Sequence, residues 1–176
     1  MTPSPTTDSS NPSVVGYETA TLAAGCFWGV EEILRQVPGI QEITVGYTGG
    51  RTPDPTYEEV CTGMTGHAEA VKVFFDPSII RYEEILGYFF RLHDPTTLNR
   101  QDNDIGTQYR SAIFYHDENQ RTVALKIKEE VAKSGKWKNR IVTEIVPAQE
   151  FYAAEDYHQD YLQKNPQGYM CHHLRS

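Results

Sequence analysis

The feature that most restricts the fold of this chain is a hydrophobic period that switches repeatedly between two residues and about 3.6. Tyr17 to Ala24 is a short, fairly apolar run that reads as a strand. Beyond Gly25 and Cys26, the residues Val30, Ile33, Leu34 and Val37 recur at i, i+3, i+4 and i+7, a helical spacing that Pro38-Gly39 stops. Ile43, Val45 and Tyr47 alternate on one face of a second strand, and Gly49 to Pro55 is turn-rich. Thr56 with Glu59 suggests a capping box on a short helix. His67 to Phe75 reads as a third strand closed by Asp76-Pro77, and Tyr82 to Leu92 as a helix with Ile85, Leu86, Phe89 and Phe90 inward. His93 to Gly106 lacks periodicity and reads as a loop. A strand from Ser111 to Tyr115, a helix through Val123, Ile127 and Val131, a strand from Ile141 to Val146 and a helix over about Ala153 to Lys164 complete the pattern. Asn165-Pro166-Gln167-Gly168 ends that last helix.

The order β-α-β, β-α-β, α-β-α predicts an α+β fold. Its core is a ferredoxin-like β-α-β-β-α-β unit with a C-terminal α-β-α extension and an irregular C-terminal tail. Residues 14–176 form one catalytic domain, long enough to bury a core without staples. Residues 1–13, rich in Ser, Thr and Pro, read as a disordered N-terminal tail that lacks the charged start and apolar middle of a secretory signal. A cytoplasmic protein, acting as a monomer, is expected.

The 24 acidic residues against 16 basic ones leave a net charge of −8, and there is no basic stripe, so no nucleic-acid partner is expected. No apolar stretch approaches the roughly 20 residues of a membrane span. Three cysteines are too few for a disulfide scaffold; in a reducing compartment each is either a small buried hydrophobe or a working thiol.

Cys26 lies between a strand and the first turn of a helix, where unpaired amides and the dipole favour thiolate over thiol. Gly25 and Gly29 allow close approach, and Phe27 and Trp28 offer an apolar wall for a small nonpolar group. A buried, inert Cys at a strand end is the alternative. Glu69 shares a strand face with Val71, Val73 and Phe75, so it should be hard to ionise and is a candidate proton donor, unless the strand end simply emerges into solvent. Spacing alone does not single out Tyr57, Asp104 or Tyr109. Cys171-His172-His173, with Cys61 or His67, lacks the paired short spacings of a structural zinc site, and no metal is expected. A cysteine in a Gly-containing tail suits a swing to a second sulfur instead.

Together these segments resemble the A-type peptide methionine sulfoxide reductases, from about Val15 to Cys171. The signature is Gly25-Cys26-Phe27-Trp28-Gly29, supported by Val45-Gly46-Tyr47-Thr48-Gly49-Gly50, Pro55-Thr56-Tyr57, Gly66-His67-Ala68-Glu69-Ala70-Val71, His93-Asp94-Pro95 and Gly106-Thr107-Gln108-Tyr109-Arg110-Ser111. The resemblance implies Cys26 as attacking thiol, Glu69 as proton donor, and Tyr57 and Tyr109 as donors to the sulfoxide oxygen. It also implies Phe27, Trp28 and Tyr109 as the S-methyl pocket, Asp104 as a residue that helps hold the site, and Cys171 as the single resolving cysteine. Several members carry two recycling cysteines, and many have glycine where Ala24 stands. Cys61 falls on a position expected to be buried and inert. The implied activity is reduction of methionine-S-sulfoxide, free or in proteins, with thioredoxin as external reductant and no cofactor. Two rivals are a cysteine hydrolase using His67 as base and a ligand-binding module without chemistry.

Overall fold

The computed structural model describes residues 16–170 and 172–175; the expected N-terminal tail Met1–Ser13 and Cys171 lie outside the described residues. Among the described residues, β1 (Glu18–Ala24), β2 (Ile40–Thr48), β3 (Ala68–Phe75), β6 (Ser111–Tyr115), β7 (Glu144–Pro147) and β8 (Phe151–Ala153) form one mixed sheet. Its order is β7-β6-β1-β3-β2-β8. A separate hairpin pairs β4 (Arg100–Gln101) with β5 (Asp104–Ile105). The helices are α1 (Phe27–Leu34), α2 (Tyr57–Cys61), α3 (Tyr82–Leu92), α4 (Glu118–Lys133) and α5 (Tyr161–Lys164). The architecture is mixed α+β, as the alternating periods require. No helix among the described residues is long and apolar enough to cross a membrane.

Pattern dictates the layers. One sheet face, with Leu22, Val45, Val71, Val73, Phe75 and Ile113, buries against Leu34 of α1 and Ile85, Leu86 and Phe89 of α3. The other face is lined by Ala23, Ala68, Ala70, Ala112 and Phe114 and covered by Phe151 and its neighbours. Small side chains there let the covering segment lie close to the sheet.

β1 runs antiparallel to both its neighbours, β3 and β6. Its register with β3, from Glu18↔Phe75 to Leu22↔Val71, sets the end of β1 beside the start of β3. Cys26 follows β1 and Glu69 begins β3, so two residues distant in sequence meet at one end of the sheet. A one-residue slip would turn Glu69 to the opposite face.

Three expectations need correction. The segment read as a helix from Ala153 to Lys164 is instead β8, a 3-10 turn at Asp156–His158 and the one-turn α5. It is held extended because β8 pairs with β2 and the Gln159 side chain bonds both Val45 N–H (3.0 Å) and Val45 C=O (2.9 Å), imitating a strand. The extension is therefore α4-β7-β8-α5 rather than α-β-α. The loop His93–Gly106 contains the β4–β5 hairpin, turned by Asn99 and Asp102 at positive φ. The Thr56–Glu59 capping box on α2 is present as expected.

Candidate active site

Cys26 is the N-cap of α1 and only 6% exposed. Gly25 before it has φ +91°, a left-handed turn that glycine enters without strain and that takes the chain from β1 into the helix. Helix starts leave amides without intrahelical partners. One of these, Phe27 N–H, donates to Glu69 Oε1 at 3.2 Å. Glu69 is 2% exposed and stands on the apolar face with Val71, Val73 and Phe75, as alternation predicts.

Tyr57 and Tyr109 gather around the same carboxyl. Burial first, and then nearby acidic groups that include Glu69, push both phenols well above the ordinary tyrosine value, so each keeps its proton and remains a donor. Tyr109 also feels Cys26 and Asp104. Asp104, in β5, accepts from the Tyr169 hydroxyl at 3.3 Å, which ties the loop to the C-terminal segment.

Phe27 is buried and its ring packs against Tyr47 (centroids 5.7 Å) and His158 (5.3 Å). Trp28 is half-buried. Its indole stacks on Tyr161 at 3.8 Å and its Nε1–H donates to His158 Nδ1 at 3.0 Å. The structure thus brings Cys26, Phe27, Trp28, Tyr57, Glu69, Asp104 and Tyr109 into one neighbourhood; Cys171 lies outside the described residues.

Cys61 differs from expectation. It is exposed, not buried, because α2 is a single turn that directs Val60 inward and Cys61 outward. Partial burial of its sulfur still raises the thiol's pKa, although a hydrogen bond from Tyr57 opposes this.

Spacing missed a second layer. Glu155 accepts from the Tyr47 hydroxyl and from Tyr57 N–H, both at 2.9 Å. Burial alone would raise its pKa, but these hydrogen bonds outweigh that and hold the carboxyl below its usual value. His158 is buried among Phe27, Trp28, Tyr57 and Tyr157, and burial lowers its pKa, so the ring is neutral. Its Nδ1 accepts from Trp28, so Nε2 carries the hydrogen; that Nε2 is enclosed without a hydrogen-bond partner among the described residues. No sequence signal marked either residue, because both lie in the stretch whose helical pattern is overridden by pairing.

His67, the possible base of a hydrolase, is committed elsewhere. Nδ1 accepts from Gly50 N–H (3.0 Å), so Nε2–H donates to Thr52 C=O (2.7 Å), and the ring fastens the turn before α2. His172 bonds the carbonyl of Ala24. The two imidazoles therefore serve separate backbone segments, and no group of three metal-ligating side chains is assembled among the described residues.

Comparison with known proteins agrees with this arrangement. The family model described as peptide methionine sulfoxide reductase matches residues 18–176. A Methanosarcina acetivorans protein named peptide methionine sulfoxide reductase MsrA is 58% identical over 161 residues, covering 92% of this chain and 85% of that protein. Among solved structures, Mxr1 from Saccharomyces cerevisiae in reduced form has a TM-score of 0.87 at 45% identity, covering 92% of this chain and 94% of that one. Mxr1 in complex with Trx2 has a TM-score of 0.64 at 32% identity, covering 92% of each chain.

Proposed function

The chain belongs to the peptide methionine sulfoxide reductase family and is an oxidoreductase of the MsrA type, and on that premise we propose that it reduces methionine-S-sulfoxide, free or in proteins, through Cys26. The observation that carries the assignment is the joining of Cys26 and Glu69: the amide next to the thiol is bonded to a buried carboxyl.

Thiolate Cys26 attacks the sulfoxide sulfur while Glu69, protonated, gives its proton to the oxygen. Tyr57 and Tyr109, kept as phenols by burial, hydrogen-bond that oxygen and stabilise the charge that develops on it. Phe27 and Trp28, with Tyr109 adjoining, enclose the S-methyl group, and Asp104 steadies the rim. Methionine leaves, the oxygen stays on Cys26 and the thiol becomes a sulfenic acid. Cys171 condenses with it to form a disulfide, releasing water, and an external dithiol reduces the disulfide. Thioredoxin is the dithiol this reading favours, supported by the complex of Mxr1 with Trx2. The thiols carry the electrons, so the scheme needs no metal or organic cofactor. It assigns the work to a cytoplasmic monomer, with every named residue on one chain, and takes the central order β6-β1-β3-β2 as the ferredoxin-like arrangement.

Single-turnover assays on Met-S-sulfoxide test the scheme. Cys171→Ser should release about one methionine per enzyme and then stall, whereas Cys26→Ser should release none. A sulfenic-acid trap should label the stalled enzyme. Sustained turnover by Cys171→Ser with thioredoxin as the only reductant would sink the resolving role.

A further inference from the structure

His172 lies near the end of the chain, where side chains are usually solvated, yet it is only 5% exposed. Its Nε2 is 2.6 Å from the carbonyl oxygen of Ala24, the last residue of β1. A carbonyl only accepts, so Nε2 carries the hydrogen whether the ring is neutral or cationic.

The ring also accounts for a glycine that backbone geometry leaves unexplained. Gly29 sits inside α1, where glycine is less favourable than alanine by about 1 kcal/mol and where no unusual φ asks for it. A Cβ at Gly29 would stand 2.3 Å from His172 Nδ1 and 3.0 Å from Cγ. At Gly25 a Cβ would come within 3.4 Å of Nε2. The two glycines flanking Cys26 therefore form a slot, and the imidazole fills it. Further along, Arg175 N–H donates to Arg91 C=O (2.9 Å) and Arg91 Nε–H to Arg175 C=O (2.6 Å), fastening the tail a second time at the end of α3.

We propose that His172 is the docking anchor of the C-terminal tail: seated on Gly25 and Gly29, it holds the adjoining residue Cys171 within reach of Cys26 for disulfide formation. The proposal rests on the assignment of Cys171 as resolving thiol. The step it serves is condensation of Cys26 sulfenic acid with the Cys171 thiol: the S–O bond breaks, the S–S bond forms, and hydroxyl and thiol proton leave as water. Docking raises the effective concentration of one sulfur at the other. His172 is thus a positioning residue for the second half of the cycle and has no part in the first.

Rapid-quench assays on the full-length protein, following both methionine release and thiol loss, separate the halves. His172→Ala should release its first methionine at the wild-type rate and form the disulfide about tenfold more slowly or worse, the loss expected for a buried hydrogen bond and its ring packing. His172→Gln, whose amide nitrogen can still donate to Ala24, should recover most of that rate. Disulfide formation by His172→Ala at the wild-type rate would overturn the proposal. If His172→Ala does not fold, Gly29→Ala fills the slot from the other side: disulfide formation should slow, and an unchanged rate overturns the proposal equally. Failure of the underlying assignment shows differently, as sustained turnover of Cys171→Ser. In that background docking is read by hydrogen exchange: His172→Ala should speed exchange of the Arg175 amide, and unchanged exchange would count against the anchor.

Discussion

The amide of Phe27 donates to Glu69 Oε1 at 3.2 Å, so the residue beside the nucleophile and the proposed acid orient one another across a separation of 42 residues. A Gln at position 69 keeps an oxygen for that amide and nearly the same shape, and lacks only the transferable proton. Glu69→Gln should therefore fold normally and form the sulfenic acid about a hundredfold more slowly or worse. A single-turnover rate equal to wild type would remove Glu69 from the proton-donor role.

Glu155 is expected to matter beyond its distance from the chemistry. It accepts from the fully buried Tyr47 hydroxyl and from the first amide of α2, which carries Tyr57. Glu155→Ala strands both donors and should cost about 2–3 kcal/mol of stability, with a fall in first-turnover rate as Tyr57 shifts. Tyr47→Phe removes only one hydrogen bond and should cost about 1 kcal/mol with near-normal activity. Urea denaturation and initial rates on the two variants check the contrast; equal effects on rate would argue against positioning through Tyr57.

Glu31 gives a pH dependence whose sign follows from its surroundings. Burial raises its pKa from 4.5 to about 7. Its oxygens accept Asp160 N–H at 3.0 and 3.2 Å, with Arg35 at 3.6 Å from it; Asp160 and Glu32 also bond Arg35. Between pH 4.5 and 7 the folded protein keeps a proton that the unfolded chain releases, so this group's contribution falls as pH rises through that window and then levels. The whole change is on the order of 3 kcal/mol. Glu31→Gln retains an acceptor for Asp160 and should flatten the profile of urea midpoint against pH. Identical slopes in variant and wild type would contradict the assignment.

Cys61 is exposed at the rim and its hydrogen bond from Tyr57 can be taken over by a hydroxyl. Cys61→Ser should leave methionine release, disulfide formation and recycling unchanged. A stall after one turnover would show that Cys61, not Cys171, resolves the sulfenic acid.

The strands and long helices were legible because each follows one period over enough residues: β3, with Val71, Val73 and Phe75 on one face, and α3, with Ile85, Leu86 and Phe89, are the clearest. The placement of Cys26 and Glu69 was legible too, since a strand-to-helix turn and an acidic residue on an apolar strand face are local patterns. What escaped is long-range. Glu155, His158 and Gln159 act on partners about a hundred residues away, and nothing local distinguishes them from the exposed face of a helix. The apparent helix there yields because β2 offers an open ladder and Gln159 extends it. Cys61 escaped for the converse reason: whether one side chain of a single-turn helix faces in or out depends on what packs over it. Gly29 was visible in the sequence, but the imidazole that explains it came from the other end of the chain.

β1 lies inside the sheet with a ladder on each side, whereas β8 closes the margin and leads into the segment holding Trp28 and Tyr57. Heat loosens margins first. As temperature rises, the enzyme should lose its grip on substrate while Cys26 still stands in its native turn, so inactivation should precede melting and reverse on cooling. The order of failure is thus written into strand position, and the least replaceable part of the molecule is the last to come apart.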